Sequence, residues 1–149
     1  MTEWNVRPVT ASDEQEWREL YRGYRAFYGV PADEAKIDTV WSWLSDEAHE
    51  SHGFVAVDAE GQLGGIAHVR RFARPLSATT GLYLDDLFTS PAVRGGGAGR
   101  ALLLHLGEYA EDAGLSVVRW ITAADNSTAR RLYDSVAKQT AWVTYDIVS

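Results

Sequence analysis

The sequence predicts a single α/β domain, and three observations carry that prediction. A strand pattern, Leu82 to Thr89, runs through a proline-marked corner into Arg94-Gly-Gly-Gly-Ala-Gly99 and at once into an amphipathic helix pattern. The apolar run Val117 to Ala123 follows, as expected of a buried parallel strand. Upstream, Gly53 to Val57 and Leu63 to Arg71 flank Asp58-Ala-Glu-Gly61, a turn signal suited to a hairpin.

Each element has its own grounds. Trp4 to Val9 alternates and reads as a first strand. Thr10, Ser12 or Asp13 caps the helix that follows, whose stripe is Trp17, Leu20, Tyr21, Tyr24, Phe27 and Tyr28; Gly29-Val-Pro31 ends it. A second helix from about Asp33 carries Ile37, Val40, Trp41 and Leu44 on one face. After the hairpin, Arg74 to Thr80 is a loop and Leu82 to Thr89 the fourth strand. The helix from about Gly97 to Ala113 buries Leu102, Leu103, Leu106, Tyr109 and Ala110, and Gly114 is placed to cap it. With the strand at 117–123 it makes a unit whose crossover should be right-handed. A short helix, about Ser127 to Ala137, and a last strand, about Trp142 to Val148, complete the chain.

Composition narrows the function. The chain has 149 residues, 46% of them apolar, enough for one domain with a real core. No cysteine is present, which excludes disulfides, thiolate metal sites and a cysteine nucleophile. No apolar run reaches the length of a membrane span, and Met1-Thr-Glu-Trp-Asn lacks the regions of a signal peptide, so the expectation is a soluble cytoplasmic protein without membrane association. A formal net charge of −7 argues against a nucleic-acid partner and mildly favours a cationic one. His49-Glu-Ser-His52 has its histidines three apart rather than four and lies between elements, so no metal site is expected.

The glycine-rich loop is the strongest chemical signal. Four glycines within Gly95 to Gly99 leave backbone N–H groups bare at the positive end of a helix, a site suited to a pyrophosphate. A nucleoside-triphosphate loop needs Gly-Lys-Ser/Thr, and Gly99 is followed by Arg100-Ala101. A dinucleotide fingerprint needs glycine where Arg100 stands. The plain alternative is a loop that only turns a strand into a helix.

What remains, Arg94-x-x-Gly97-x-Gly99, resembles the pyrophosphate loop of the GNAT acyl-CoA N-acetyltransferases. Trp120-Ile-Thr-Ala-Ala-Asp-Asn126 with Ala129-Arg-Arg-Leu-Tyr133 resembles the second signature of that superfamily. Gly23-Tyr24, Phe27-Tyr28, Val30-Pro31, Trp41 and Leu84-Asp-Asp-Leu-Phe88 are similar to the branch containing yeast histone and polyamine acetyltransferases and their bacterial relatives. The resemblance implies an α+β GNAT fold. Its central sheet would be mixed and mostly antiparallel, with six to seven strands, four flanking helices, and fourth and fifth strands splayed apart.

It also implies acetyl-CoA as cosubstrate, no metal, and direct attack of an amine on the thioester. A primary amine of pKa ~10.4 is neutral in roughly one molecule in 2,500 at neutral pH, so a proton must be taken from the ammonium. Tyr133 is the implied acid toward the departing sulfur, with a core tyrosine as its alternative role. Asp85 is the candidate base, matching a glutamate in polyamine acetyltransferases and one methylene shorter; the alternative is an ordinary strand-end carboxylate. In a regular strand Asp85 and Asp86 point to opposite faces and only a bulge would change that. Leu87, Phe88 and Thr89 would face the thioester and pantetheine, with a backbone N–H near Leu87 as oxyanion donor. Arg94, Gly95, Gly96, Gly97, Ala98, Gly99 and Arg100 would hold the phosphates. Asn126 would bond the pantetheine arm or cap the following helix. Tyr24, Tyr28 and Glu34, with Asp85, are candidate walls for the amine, and Asp38 a further acidic one.

The acceptor is expected to be a small-molecule primary amine, polyamine-like or amino-acid-like. The alternatives are protein lysines or N-termini, or an acyl-CoA-binding module without turnover. Relatives continue after the tyrosine with a Gly-Phe pair and two strands, whereas Val136-Ala-Lys-Gln-Thr140 stands here and leaves room for one. The resulting sheet edge predicts a homodimer through the C-terminal strand region.

Overall fold

The computed structural model describes residues 3–93 and 95–149. Its order is β1 (Asn5–Pro8), α1 (Glu14–Phe27), α2 (Glu34–Leu44), β2 (His52–Val57), β3 (Leu63–Arg74), β4 (Thr79–Thr89), α3 (Ala98–Asp112), β5 (Val118–Arg119) and α4 (Ser127–Val136), with short 3-10 turns at Ala11–Asp13 and Pro91–Val93. The strands form one sheet in sequence order; β1 to β4 pair antiparallel and β5 joins β4 in parallel. An α+β sheet with four helices is therefore correct. The expected six to seven strands are not: five form among the described residues.

Both sheet faces are covered, which is why β2 and most of β3 read as continuous apolar runs. Phe54 and Ala56 of β2 join Leu82, Leu84, Leu102 and Leu106 in the core beneath α3. Val55 and Val57 point the other way, into a core with Trp17, Leu20, Ile37 and Ile66 beneath α1 and α2. Asp13 fastens the start of α1. Its carboxylate takes two bonds from Arg7, at 2.7 and 2.9 Å, and one from the Thr10 amide at 2.8 Å.

Two strands run past expectation, β3 to Arg74 and β4 from Thr79, because their ladder continues through most of the expected loop at 74–80, and two others fall short. The run 117–123 gives only Val118–Arg119, paired with Leu82 and Tyr83. Beyond them β4 and the chain toward Asn126 part, so residues 120–123 find no ladder partner there. Residues 142–148 form no strand. Trp142 is 84% exposed and Tyr145 88%, with Val143, Ile147 and Val148 likewise exposed. Alternation specifies a strand only where a neighbouring backbone accepts its hydrogen bonds, and among the described residues none is paired with it.

A bulge decides the geometry of β4. His68 of β3 pairs with Asp86 and Val69 with Leu84, so Asp85 has no partner opposite. Before the bulge even-numbered side chains, Leu82 and Leu84, face α3. After it Phe88 joins the α1 core, while Leu87 packs toward α3. The strand has exchanged its faces.

Candidate active site

The glycine loop is built to expose backbone. Gly95 and Gly97 take φ of +86° and +93°, where a side chain is strained. A Cβ on Gly96 would lie 2.8 Å from the Val93 carbonyl. Gly97 is the N-cap of α3 and has no side-chain cap bond; the first helical bond runs from Ala101 N–H to its carbonyl. Of the earlier amides, that of Gly96 is taken by the Val93 carbonyl at 2.8 Å, and those of Ala98, Gly99 and Arg100 open the first turn of α3, where the helix dipole favours an anion. Trp4 holds the loop from behind, its indole N–H donating to the Gly96 carbonyl at 2.9 Å.

A groove of about 590 Å³ opens from this turn. One wall is Leu87, Phe88 and Thr89 of β4; the floor at its far end is Gly95, Gly97, Ala98, Gly99 and Arg100. The other wall is α4 and its cap, with Asn126, Ala129, Leu132 and Tyr133, and Tyr24 and Phe27 of α1 with Tyr28 just beyond it close the near end. Gly99 permits close approach of α3 and α4, since a Cβ there would stand 3.3 Å from Leu132. The groove exists because β4 and the chain after β5 diverge.

The side chains in it are poised differently. Tyr133 is half-buried and meets Trp120 edge-on at 5.3 Å. Burial, and then Tyr28, pushes its phenol above the ordinary value, so it stays protonated at neutral pH. Asn126 caps α4 through a long 3.4 Å bond from the Ala129 amide, and its Nδ2 donates to Thr122 at 3.4 Å. Arg100 donates to Ser135 at 3.0 Å from an exposed position.

A second cavity of about 290 Å³ lies on the α1 and α2 side of β4. Tyr21, Trp43, Glu50, Arg70, Asp85 and Asp86 are among its walls. The bulge brings both aspartates onto this one face, in place of the opposite faces of a regular strand. Asp85 receives the Arg70 Nε–H at 3.0 Å. Burial raises its carboxyl above the usual range, against the lowering effect of Arg70. Tyr21 joins the cavities: its ring lies 5.9 Å from Tyr24, which lines the groove.

Most of the expected residues thus come together. Leu87, Phe88, Thr89, the loop glycines other than Gly96, Ala98, Arg100, Asn126, Tyr133, Tyr24 and Tyr28 share the groove, and Asp85 lies in the adjoining cavity. Arg94 lies outside the described residues. Glu34 is not brought in: it pairs with Arg22 at 2.6 Å in an exposed position. Asp38 likewise pairs with Arg18 at 2.7 Å. Three residues were missed from the sequence: Asp86, His68 and Trp17. The available signal was His68 itself, a polar residue inside the buried run Gly64 to Val69. Among the described residues no group of three or more His, Cys, Asp or Glu side chains could hold a metal ion.

Comparison with known proteins agrees with this geometry. Residues 17–137 match the acetyltransferase (GNAT) family model. The chain is 28% identical over 141 residues to the D-amino-acid N-acetyltransferase HPA3 of Saccharomyces cerevisiae, covering 94% of this chain and 88% of that one. It is 30% identical over 132 residues to the uncharacterized N-acetyltransferase YhfO of Bacillus subtilis, covering 87% and 86%. Among solved structures, a probable acetyltransferase superposes with a TM-score of 0.86 at 21% identity, covering 97% of both chains. The ribosomal-protein-alanine N-acetyltransferase of Brucella melitensis gives 0.83 at 20% identity, covering 99% of this chain and 100% of that one. With its bare-amide turn, its parted strands and a family match across most of its length, this chain belongs to the acetyltransferase (GNAT) family.

Proposed function

We propose that the protein is an acetyl-CoA-dependent N-acetyltransferase whose acceptor is a primary amine of a small molecule, polyamine-like or amino-acid-like. One observation carries this reading: the glycine turn and Tyr133 line one continuous groove. The donor set suits a CoA pyrophosphate, because the amides of that turn offer hydrogen bonds and positive dipole without a bulky side chain. Gly95, Gly97, Ala98, Gly99 and Arg100, together with Arg94, hold the phosphates, while Gly96, bonded to Val93 and Trp4, shapes the turn; Asn126 and Thr89 contact the pantetheine arm. Bound acetyl-CoA supplies the activated acetyl group. The name of the yeast relative supports an amino-acid acceptor.

The chain's own groups divide the proton work. Asp85 takes a proton from the ammonium, and the pKa raised by its partial burial makes it a stronger base than an ordinary aspartate. The neutral amine attacks the acetyl carbon; a C–N bond forms and the C–S bond breaks. The backbone N–H near Leu87 stabilises the oxyanion. Tyr133 gives its proton to the departing sulfur; a second proton leaves the nitrogen as the amide forms and restores the phenol, so that net one proton, the one taken by Asp85, is released. Tyr24 and Tyr28 border the acceptor.

The protein works as a homodimer through its C-terminal segment, a reading supported by the exposed apolar side chains of residues 142–148. Thiol release from acetyl-CoA over polyamines, D- and L-amino acids, aminoglycosides and basic peptides tests the activity. Turnover on small amines is expected. Turnover on basic peptides alone would make it a protein acetyltransferase, and binding without turnover a non-catalytic module. Tyr133→Phe should lower kcat about 100-fold while CoA affinity stays within a factor of two. An equal loss in both would remove Tyr133 from the chemistry.

A further inference from the structure

The second aspartate brought to this face by the bulge is held quite differently from Asp85. Opposite Asp86 stands His68, only 2% exposed in the middle of β3. Its Nε2 accepts the indole N–H of Trp17 at 2.9 Å, so the ring proton lies on Nδ1. Nδ1–H donates to Asp86 Oδ2 at 2.7 Å. Trp17 is itself immobile, 1% exposed and packed between Tyr21 at 5.1 Å and Trp41 at 5.0 Å. A core indole thereby fixes a tautomer, and the tautomer fixes a carboxylate.

The remaining neighbours of Asp86 sharpen its character. From α1, the Tyr21 hydroxyl donates to the same oxygen at 3.5 Å, and burial, helped by the charge of Asp86, raises the pKa of the neighbouring Tyr24 phenol. From β3, Arg70 also faces the cavity but is engaged by Asp85; His49 and Glu50 face it from the segment between α2 and β2. Burial works to raise the Asp86 carboxyl, yet the donors from His68, then Tyr24 and Tyr21, outweigh it and hold the group below the usual range. Such a carboxylate is a poor proton acceptor. It is a fixed negative charge facing a cavity bordered by aromatic rings, where it binds a cation.

Resting on the reading that the acceptor is an amine, we propose that Asp86 is the specificity-determining counter-ion that receives the acceptor as its ammonium ion. His68 and Trp17 are positioning residues that keep that carboxylate aimed. The two aspartates then divide the labour: Asp86 captures the cation, and Asp85 accepts the proton that must leave before attack.

The test uses two acceptors of nearly equal size, butylamine, a cation at neutral pH, and O-propylhydroxylamine, which is neutral there. Asp86→Asn should raise KM for butylamine about 30-fold with a much smaller change in kcat, and leave KM for O-propylhydroxylamine and for acetyl-CoA unchanged. His68→Leu should act in the same direction. His68→Asn, which restores an N–H near the position of Nδ1–H, should recover most of the loss. Equal KM changes for both acceptors, or none, would overturn the assignment. Butylammonium binding to the wild-type protein and to Asp86→Asn is measured by calorimetry without acetyl-CoA. Binding lost in the variant supports the inference even where no amine is acetylated, in which case the acetyltransferase reading alone fails. Binding absent from the wild type, or equal in both, defeats it. Should the His68 variants not fold, ¹⁵N NMR of the wild type reads the tautomer directly, and a proton on Nε2 would break the chain from Trp17 to Asp86.

Discussion

At the scale of single residues, the proposed base role of Asp85 makes its pairing with Arg70 the expected determinant of the acid limb of activity. Burial raises the Asp85 carboxyl and Arg70 pulls it down. A base must be ionised to act, so kcat/KM should rise with pH through a value above 3.8, the ordinary aspartate figure. Arg70→Met removes the lowering influence and should move that limb to higher pH while leaving the alkaline side in place. An unmoved limb would transfer the base role away from Asp85. Little of this was legible in the sequence. Asp85 could be singled out, but its partner lies fifteen positions away on another strand, and the bulge that exposes both aspartates is a property of pairing register. His68 shows the same limit: a histidine in an apolar run is visible, whereas the indole that fixes its proton lies fifty-one positions earlier.

At the scale of elements, the two turns that start helices are fixed by opposite means. The start of α1 depends on a charged side chain. Asp13 is nearly buried, and the Arg7 bond, then the Thr10 amide, hold its carboxyl below the usual value against burial. Its stabilising contribution is therefore complete above the unfolded aspartate pKa and is lost as pH falls below about 4 through the lower folded value. Asp13→Asn should cost about 3 kcal/mol in urea unfolding at neutral pH, because Arg7 loses its counter-ion, and should flatten the acid loss. The start of α3 depends on having no side chain. Gly97→Val should cost about 1–2 kcal/mol from its left-handed backbone and weaken CoA binding more than tenfold. Unchanged CoA affinity would detach the loop from the phosphates. Helices and loop were readable because capping, periodicity and glycine runs are local. The length of β5 and the last strand were not, since strands depend on partners distant in sequence.

At the scale of the whole molecule, the C-terminal segment is the unresolved business of the fold. Trp142, Tyr145 and Ile147 stand in solvent, and among the described residues β5 pairs on one side only, with β4. An exposed apolar segment and a free sheet edge in one chain are complementary between two copies related by a two-fold axis. Light scattering at micromolar concentration should report a dimer for the full chain and a monomer for a chain ending at Thr140, with folding retained because neither core includes a residue beyond Val136. A monomeric full chain would end this reading.

The unpaired Asp85 has one more implication, for how this strand tolerates change in length. Upstream of it β4 is fastened to α3, and downstream to α1. Removing Asp85 alone would leave Leu84 opposite Val69 and Asp86 opposite His68 in an unbroken ladder, because the loss of the extra residue cancels the change of parity it causes. Phe88 would keep its core and Leu87 its place in the wall of the groove. The α1 face would then carry one aspartate where it now carries two. A one-codon deletion there should therefore leave the fold standing while it takes away the proposed base.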